Sequence, residues 1–264
     1  MDTIRRSMFE SAVIKSVVAG LIASVACGLG VLPLLLRHAN VRRHTGPAYA
    51  LAGGLMFAAS VYNLILPGLT MHTDHITLSR AGAVIVGILL GALVMWRADK
   101  TLARVAPHGG SFVRWGGRTG LLIFIAMSIH SIPEGVAVGV GYASQQIYGG
   151  GFGSHIAIAI GLHNIPEGLA VAIPLRAANV GMGKCFWAAF LTSLPQPVAA
   201  VPACIVSSLF EPIMPVLMGF SAGAMIFLVM LELIPDALDT IRPTVMAWAF
   251  TAGFCMMLLI QVIL

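Results

Sequence analysis

Residues 130–139 read HSIPEGVAVG, and residues 163–172 read HNIPEGLAVA, a near copy of the first string. Each string lies in the middle of a long apolar run. Placing a carboxylate in the middle of a membrane span costs about 2.5–3.5 kcal/mol. A chain that does so twice, each time with a histidine one helical turn before the glutamate, is expected to hold a cation there.

The composition around these strings is that of a membrane protein. Hydrophobic residues make up 58% of the chain and charged residues 9%, with a mean hydropathy of +0.94, whereas a soluble domain carries about 25% charged residues. Eight apolar runs reach or approach the roughly 20 residues that cross a bilayer. They lie near 12–36, 47–69, 80–96, 119–142, 152–175, 185–209, 213–235 and 244–264. We therefore predict an all-α integral membrane protein with eight transmembrane helices.

The positive charge of the chain indicates its topology in the membrane. Most of the 15 Lys and Arg residues fall in alternate loops, after spans one, three, five and seven. The positive-inside rule then places those loops in the cytosol and both termini outside. We predict one membrane transport domain over residues 1–264, with a flexible cytosolic loop at about 97–118, and no binding of nucleic acid.

Small residues recur at the spacing that lets membrane helices approach closely. Gly87 and Gly91 form one such pair, and Gly219 and Gly223 form another. Packing within one chain is the favoured use of these pairs. A homodimer seam stays open as the alternative.

The two repeated strings each present a histidine and a glutamate on one helical face. His130 and Glu134 are one turn apart, as are His163 and Glu167. A proline between them in each string leaves one backbone carbonyl without its helical donor. Ser131 and Asn164 lie at the edge of the same faces.

The order of the spans should bring the four side chains together. Spans four and five run antiparallel, so Glu134 is level with His163, and His130 with Glu167, near the membrane midplane. Two carboxylates supply a charge of −2, and two nitrogens with two oxygens suit zinc, iron, manganese, cobalt or nickel. The alternative is two self-satisfied His–Glu pairs. We favour a metal site between helices 4 and 5, inside the bundle.

These strings resemble the ZIP family of divalent-metal transporters, and most closely its GufA-like bacterial branch. The resemblance extends to eight spans, outer termini and a cytosolic loop after span three. Residues 54–67 look like the family's second span, and residues 222–235 like its seventh. By resemblance, the protein would lie in a bacterial inner (plasma) membrane as a multi-pass protein in the lipid bilayer.

The resemblance also implies a set of ligands. His130, Glu134, His163 and Glu167 would form the transport site, to which Met56 on span two adds a thioether. A second site would use the two shared carboxylates with the residues at positions 131, 164 and 196. Those positions hold Ser131, Asn164 and Gln196. Because the branch has glutamate where this chain has neutral Gln196, a second ion should bind weakly or not at all.

Several polar residues are candidates for the route of the ion. Asn63 either lines that route or bonds a neighbouring helix, and His155 either receives metal at the outer mouth or is an interfacial histidine. Glu232, with Asp236, is either an exit relay or a solvated helix end. A looser outer cluster comprises His72, Asp74 and His75.

We therefore predict transport of a divalent transition metal into the cytosol by alternating access. Zn²⁺ is the first expectation, and Fe²⁺, Mn²⁺, Cd²⁺ and Co²⁺ are the other candidates. The metal is the substrate, and no organic cofactor is expected. No ATP-binding motif is present, so gradients or facilitated flow would drive transport. An intramembrane metalloenzyme is the alternative, but the His-Glu-x-x-His string of metalloproteases is missing.

Overall fold

Eight helices are long and apolar enough to cross a membrane in the computed structural model, which describes residues 2–35, 41–70, 76–105, 117–144 and 151–263. Their spans are Glu10–Leu34, Thr45–Thr70, Leu78–Thr101, Gly120–Ala143, Phe152–Ala177, Met182–Ile205, Met214–Leu238 and Pro243–Val262. The prediction of an all-α membrane protein with eight spans is confirmed.

We number the membrane helices α1 to α8 in chain order. The first four are α1 (Asp2–Leu29, then a 3-10 turn at Leu32–Leu34), α2 (Val41–Ala59, a π-helical segment Ser60–Ile65, and Leu66–Thr70), α3 (Leu78–Val105) and α4 (Gly117–Ala143). The last four are α5 (Phe152–Ala177), α6 (Met182–Ser193 and Pro195–Ile205), α7 (Met214–Leu228, a π-helical segment Val229–Leu233, and Ile234–Leu238) and α8 (Pro243–Ile263). Between α6 and α7 lie a short helix, Ser207–Phe210, and a 3-10 turn, Glu211–Ile213.

The loop predicted at about 97–118 begins later than expected, because α3 continues as a helix to Val105. Side-chain polarity alone misplaced this boundary, since a helix can extend beyond the bilayer into water. Residues 106–116 lie outside the described ranges, as do His72, Asp74 and His75.

Helices α4 and α5 lie at the centre of the bundle. Helix α4 packs against α1, α5, α6 and α7, while α5 packs against α1, α2, α4 and α6. Two thirds of the α4 span is buried (67%), whereas only 11% of the α8 span is. Ionisable groups on α4 and α5 are therefore shielded from lipid, as membrane-embedded charges generally are.

Prolines shape the helices in different ways. Pro133 and Pro166 lie inside the continuous helices α4 and α5. The two π-helical segments end just before Pro67 and Pro235, where the N–H of the preceding residue bonds five residues back: Leu66 to Val61 and Ile234 to Val229. A π-helical turn changes which side chains face the bundle.

The small-residue pairs join two helices of the same chain. A Cβ added to any of the four glycines would meet backbone atoms of the facing helix, between α3 and α7. The structure therefore shows the favoured use of these pairs, which is packing within one chain. The homodimer itself stays a prediction.

Replacing Gly87 by alanine should destabilise the fold. The new methyl group would overlap the carbonyl oxygen of Val216, and overpacking of this kind costs about 1–3 kcal/mol. We expect Tm to fall by about 2–12 °C in detergent. Gly82→Ala on the same helix is the matched control, because its Cβ would enter open space. Equal Tm values for the two variants would contradict this account of the seam.

Candidate metal centre

Four ionisable side chains converge between α4 and α5. His130 and Glu134 come from α4, and His163 and Glu167 from α5, and one ligand atom of each lies within 4.8 Å of the other three. Each residue is at most 1% exposed. Histidine, cysteine, aspartate and glutamate are the side chains that most often bind metals. In the described part of the chain, this cluster is the group of such side chains that lie close enough together to hold a metal ion.

The contacts between the helices have the pairing that antiparallel spans require. Nε2 of His130 lies 2.6 Å from Oε1 of Glu167, and Nε2 of His163 lies 3.3 Å from Oε1 of Glu134. Within one helix, the corresponding distances are 3.6 Å on α4 and 2.5 Å on α5. The ring centroids are 5.9 Å apart at an interplanar angle of 81°. Both imidazoles thus direct Nε2 toward the carboxylates.

One oxygen of the cluster lacks a donor. Oε1 of Glu134 is buried and accepts no hydrogen bond in the described part of the chain. Leaving a buried polar atom unpaired costs about 1–3 kcal/mol, and more for a charged group. A cation within the cluster would satisfy this oxygen and balance the two carboxylates, so the residues present fit a divalent metal.

A cavity of about 340 Å³ lies beside Glu134, the residue whose Oε1 atom has no donor. Glu134 lines it, as do Asn63 and Gln261, and the lining extends to His155 near the start of α5. His155 is exposed. The cavity therefore leads from the cluster toward the side of the bundle that the charge pattern predicts to be the outer one.

Asn63 lines this cavity and is bonded to a neighbouring helix, while its part in the route of the ion stays a prediction. Its amide nitrogen lies 3.2 Å from Nδ1 of His163, and its oxygen accepts a hydrogen bond from Nε2 of Gln261 on α8. Sequence reasoning missed Gln261. The available signal was an amide in the apolar run at 244–264, a position that insertion energetics disfavour unless it has a polar partner.

Comparison with known proteins identifies the family. The model of the ZIP Zinc transporter family matches residues 109–261. This chain belongs to that family. It is 32% identical to the zinc transporter GufA of Myxococcus xanthus over 83% of this chain and 87% of that protein. The resemblance seen in the repeated strings is confirmed.

Two further relatives extend the similarity. The zinc transporter ZIPB of Bordetella bronchiseptica is 32% identical over 93% of this chain and 80% of that protein. Human zinc transporter ZIP11 is 38% identical over 59% of this chain and 47% of that protein. This ZIP family member is therefore a multi-pass membrane transporter, and the relatives do not support the intramembrane metalloenzyme.

Asn164 and Gln196, two of the residues expected at a second metal site, are hydrogen-bonded to each other and to Ser193. The Asn164 amide nitrogen lies 2.8 Å from Ser193 Oγ and 3.0 Å from Gln196 Oε1. Nε2 of Gln196 in turn donates to Oε2 of Glu134. An amide N–H group is a donor and not a metal ligand, so in the structure Gln196 directs a donor, and not a ligand atom, at Glu134.

Three other candidates, Met56, Ser131 and Glu232, lie on α2, α4 and α7. The hydroxyl of Ser131 donates to the backbone oxygen of Met127 at 2.7 Å, a bond within α4. Met56 is fully buried in the core. Its role as a metal ligand stays a prediction. Glu232 is buried in the π-helical segment of α7, and its part in ion exit also stays a prediction.

Proposed function

We propose that this chain moves a divalent transition-metal ion into the cytosol, with Zn²⁺ as the first expected substrate. The ion would bind at a site formed by His130, Glu134, His163 and Glu167. The observation that carries the proposal is the buried cluster of two carboxylates and two imidazoles, in which one carboxylate oxygen has no donor. The relatives GufA, ZIPB and ZIP11 are each named zinc transporters, which supports zinc as the first substrate to test.

Each ligand has a separate chemical part in the proposal. Glu134 and Glu167 balance the charge of the ion, while His130 and His163 supply the nitrogen ligands that borderline metals such as zinc accept. The thioether of Met56 adds a soft ligand. Ser131, Asn164 and Gln196 should hold a second ion weakly or not at all, because all three are neutral and engaged in hydrogen bonds.

Alternating access would carry the ion past this site. The cavity between Glu134 and His155 supports entry from the outer side, with Asn63 on its wall. On leaving, the ion would pass Glu232 toward the cytosol. This direction rests on the predicted orientation, with both termini outside the inner membrane of a bacterium and the basic loops in the cytosol.

Uptake of several radiometals by vesicles that contain only this protein tests the proposal. We expect zinc to accumulate, and the relative uptake of Fe²⁺, Mn²⁺, Cd²⁺ and Co²⁺ to define the selectivity. Empty vesicles are the control for leakage. Metal-dependent turnover of an added compound without movement of metal would contradict transport and favour an enzyme.

Protons should compete with the ion at this site. Carboxylates and imidazoles bind metal only after losing their protons, and free histidine has a reference pKa of about 6.5. We therefore expect zinc affinity to fall as the pH is lowered from about 8 to about 5. Calorimetry in buffers of different ionisation enthalpy measures both the affinity and the protons released. An affinity that stays constant over this range would contradict the expected competition between protons and the ion.

A further inference from the structure

A chain of two amides runs from the outermost helix to the metal cluster. Gln261 on α8 donates from Nε2 to Oδ1 of Asn63 on α2, and Nδ2 of Asn63 lies 3.2 Å from Nδ1 of His163. On the other side of the same ring, Nε2 of His163 lies 2.5 Å from Oε1 of Glu167. Both nitrogens of His163 are thus occupied by named partners.

The backbone of α2 is adapted to this contact. Asn63 lies inside the π-helical segment Ser60–Ile65. Pro67 has no N–H to give to the carbonyl four residues earlier, which belongs to Asn63, and the ladder shifts to five-residue spacing here. π-helical turns of this kind occur frequently at functional sites.

His130 differs from His163 in this respect. Nδ1 of His130 is buried and has no hydrogen-bond partner among the described residues. The two imidazoles are therefore not equivalent, because a polar side chain contacts Nδ1 of His163 but none bonds Nδ1 of His130 in the described part of the chain. The asymmetry indicates a specific task for Asn63.

We propose that Asn63 and Gln261 are positioning residues that fix the ring of His163 and set which of its nitrogens binds the ion. When Nε2 binds a metal, the proton of the neutral imidazole resides on Nδ1, and metal-bound histidines almost always donate that N–H to an acceptor. The oxygen of Asn63 is the acceptor in reach. This inference rests on the proposed function of the four-residue cluster.

Asn63 and Gln261 can form hydrogen bonds that suit both neutral tautomers of His163. In the structure the amide nitrogen of Asn63 faces Nδ1, which matches an imidazole with its proton on Nε2, donating to Glu167. An amide carries a donor and an acceptor on opposite atoms. If both amides turn by half a rotation, Asn63 accepts from Nδ1–H and donates to the oxygen of Gln261. Two linked amides therefore follow the ring between its metal-free and metal-bound tautomers.

Zinc affinity of the full-length protein in detergent tests the proposal, with the Co²⁺ visible absorption spectrum as a second readout of the ligand geometry. Asn63→Leu should weaken zinc binding about 10–100-fold, the usual effect of losing a partner behind a ligand, and should change the Co²⁺ spectrum. Asn63→Asp keeps an acceptor oxygen and should bind as tightly as the unaltered protein or more so. Gln261→Leu should show a smaller loss than Asn63→Leu.

The matched control is Ser60→Ala. Ser60 is buried in the same π-helical segment, but its hydroxyl bonds the backbone oxygen of Met56, so zinc affinity should not change. Metal-free Tm values establish that each variant is folded. Three results would each overturn the proposal. They are an unchanged zinc affinity in Asn63→Leu, an affinity of Asn63→Asp as weak as that of Asn63→Leu, and a loss of affinity in Ser60→Ala as large as in Asn63→Leu. Unchanged zinc binding in Glu167→Ala would instead contradict the proposed site itself, which separates the two failures.

Discussion

Replacing Glu167 by alanine is expected to abolish zinc uptake. The substitution removes half of the negative charge in the cluster, and it removes the one oxygen that lies within 2.6 Å of Nε2 on both histidines. Loss of a partner behind a ligand costs about 10–100-fold in metal affinity, so loss of a charged ligand should cost at least about 100-fold. Glu134→Ala should behave in the same way.

The measurement is uptake of radioactive zinc by vesicles with equal amounts of inserted protein. Glu167→Gln adds a variant of the same size without the charge, and it should fail as well, which separates charge from packing. Ser131→Ala is the matched control, because this buried hydroxyl bonds Met127 and lies outside the four-residue cluster. Near-normal uptake by Glu167→Ala would disprove the proposed site.

Replacing Gln196 by glutamate is expected to add a second bound ion. In the structure, Nε2 of Gln196 donates to Oε2 of Glu134 and the nearby Asn164 is neutral. A second dication would therefore be repelled by the first ion without a further anion to offset it. A carboxylate at position 196 would supply that anion beside the shared Glu134.

Metal analysis of the purified proteins should give about one zinc ion per chain for the natural sequence and about two for Gln196→Glu, and anomalous diffraction should locate them. Gln196→Leu removes the hydrogen bond to Glu134 without adding charge, so it should remain at one ion. Two fully occupied sites in the unaltered protein would show that the neutral amide does not prevent binding of the second ion.

Most of the fold followed from the sequence, for physical reasons that operate locally. Each of the eight apolar runs became a helix because lipid cannot satisfy free backbone groups, so a spanning segment must bond within itself. The end of α3 did not follow, because polarity marks where a helix leaves the membrane and not where its hydrogen bonds stop. The π-helical segments also depend on packing around Pro67 and Pro235 as well as on the prolines themselves.

The convergence of the four side chains was predictable because helical spacing and antiparallel order are both properties of the sequence. His130 is paired with Glu167, and Glu134 with His163, at the distances that this order requires. The contacts of Asn63 with the cluster and with Gln261 were not predictable. Their partners are distant in the sequence, since Asn63 and His163 are joined only when α2 packs against α5.

The sequence by itself determined the membrane class, the eight spans, the two repeated strings and the neutral residue at position 196. Only the tertiary structure decided that the amide nitrogen of Gln196 faces Glu134, that Oε1 of Glu134 lacks a donor, and that Gln261 and Asn63 stand behind His163. The physical reason is that hydropathy and helical periodicity act over one turn or one span. The direction of a buried amide depends on which helices pack around it, and packing is a property of the whole bundle.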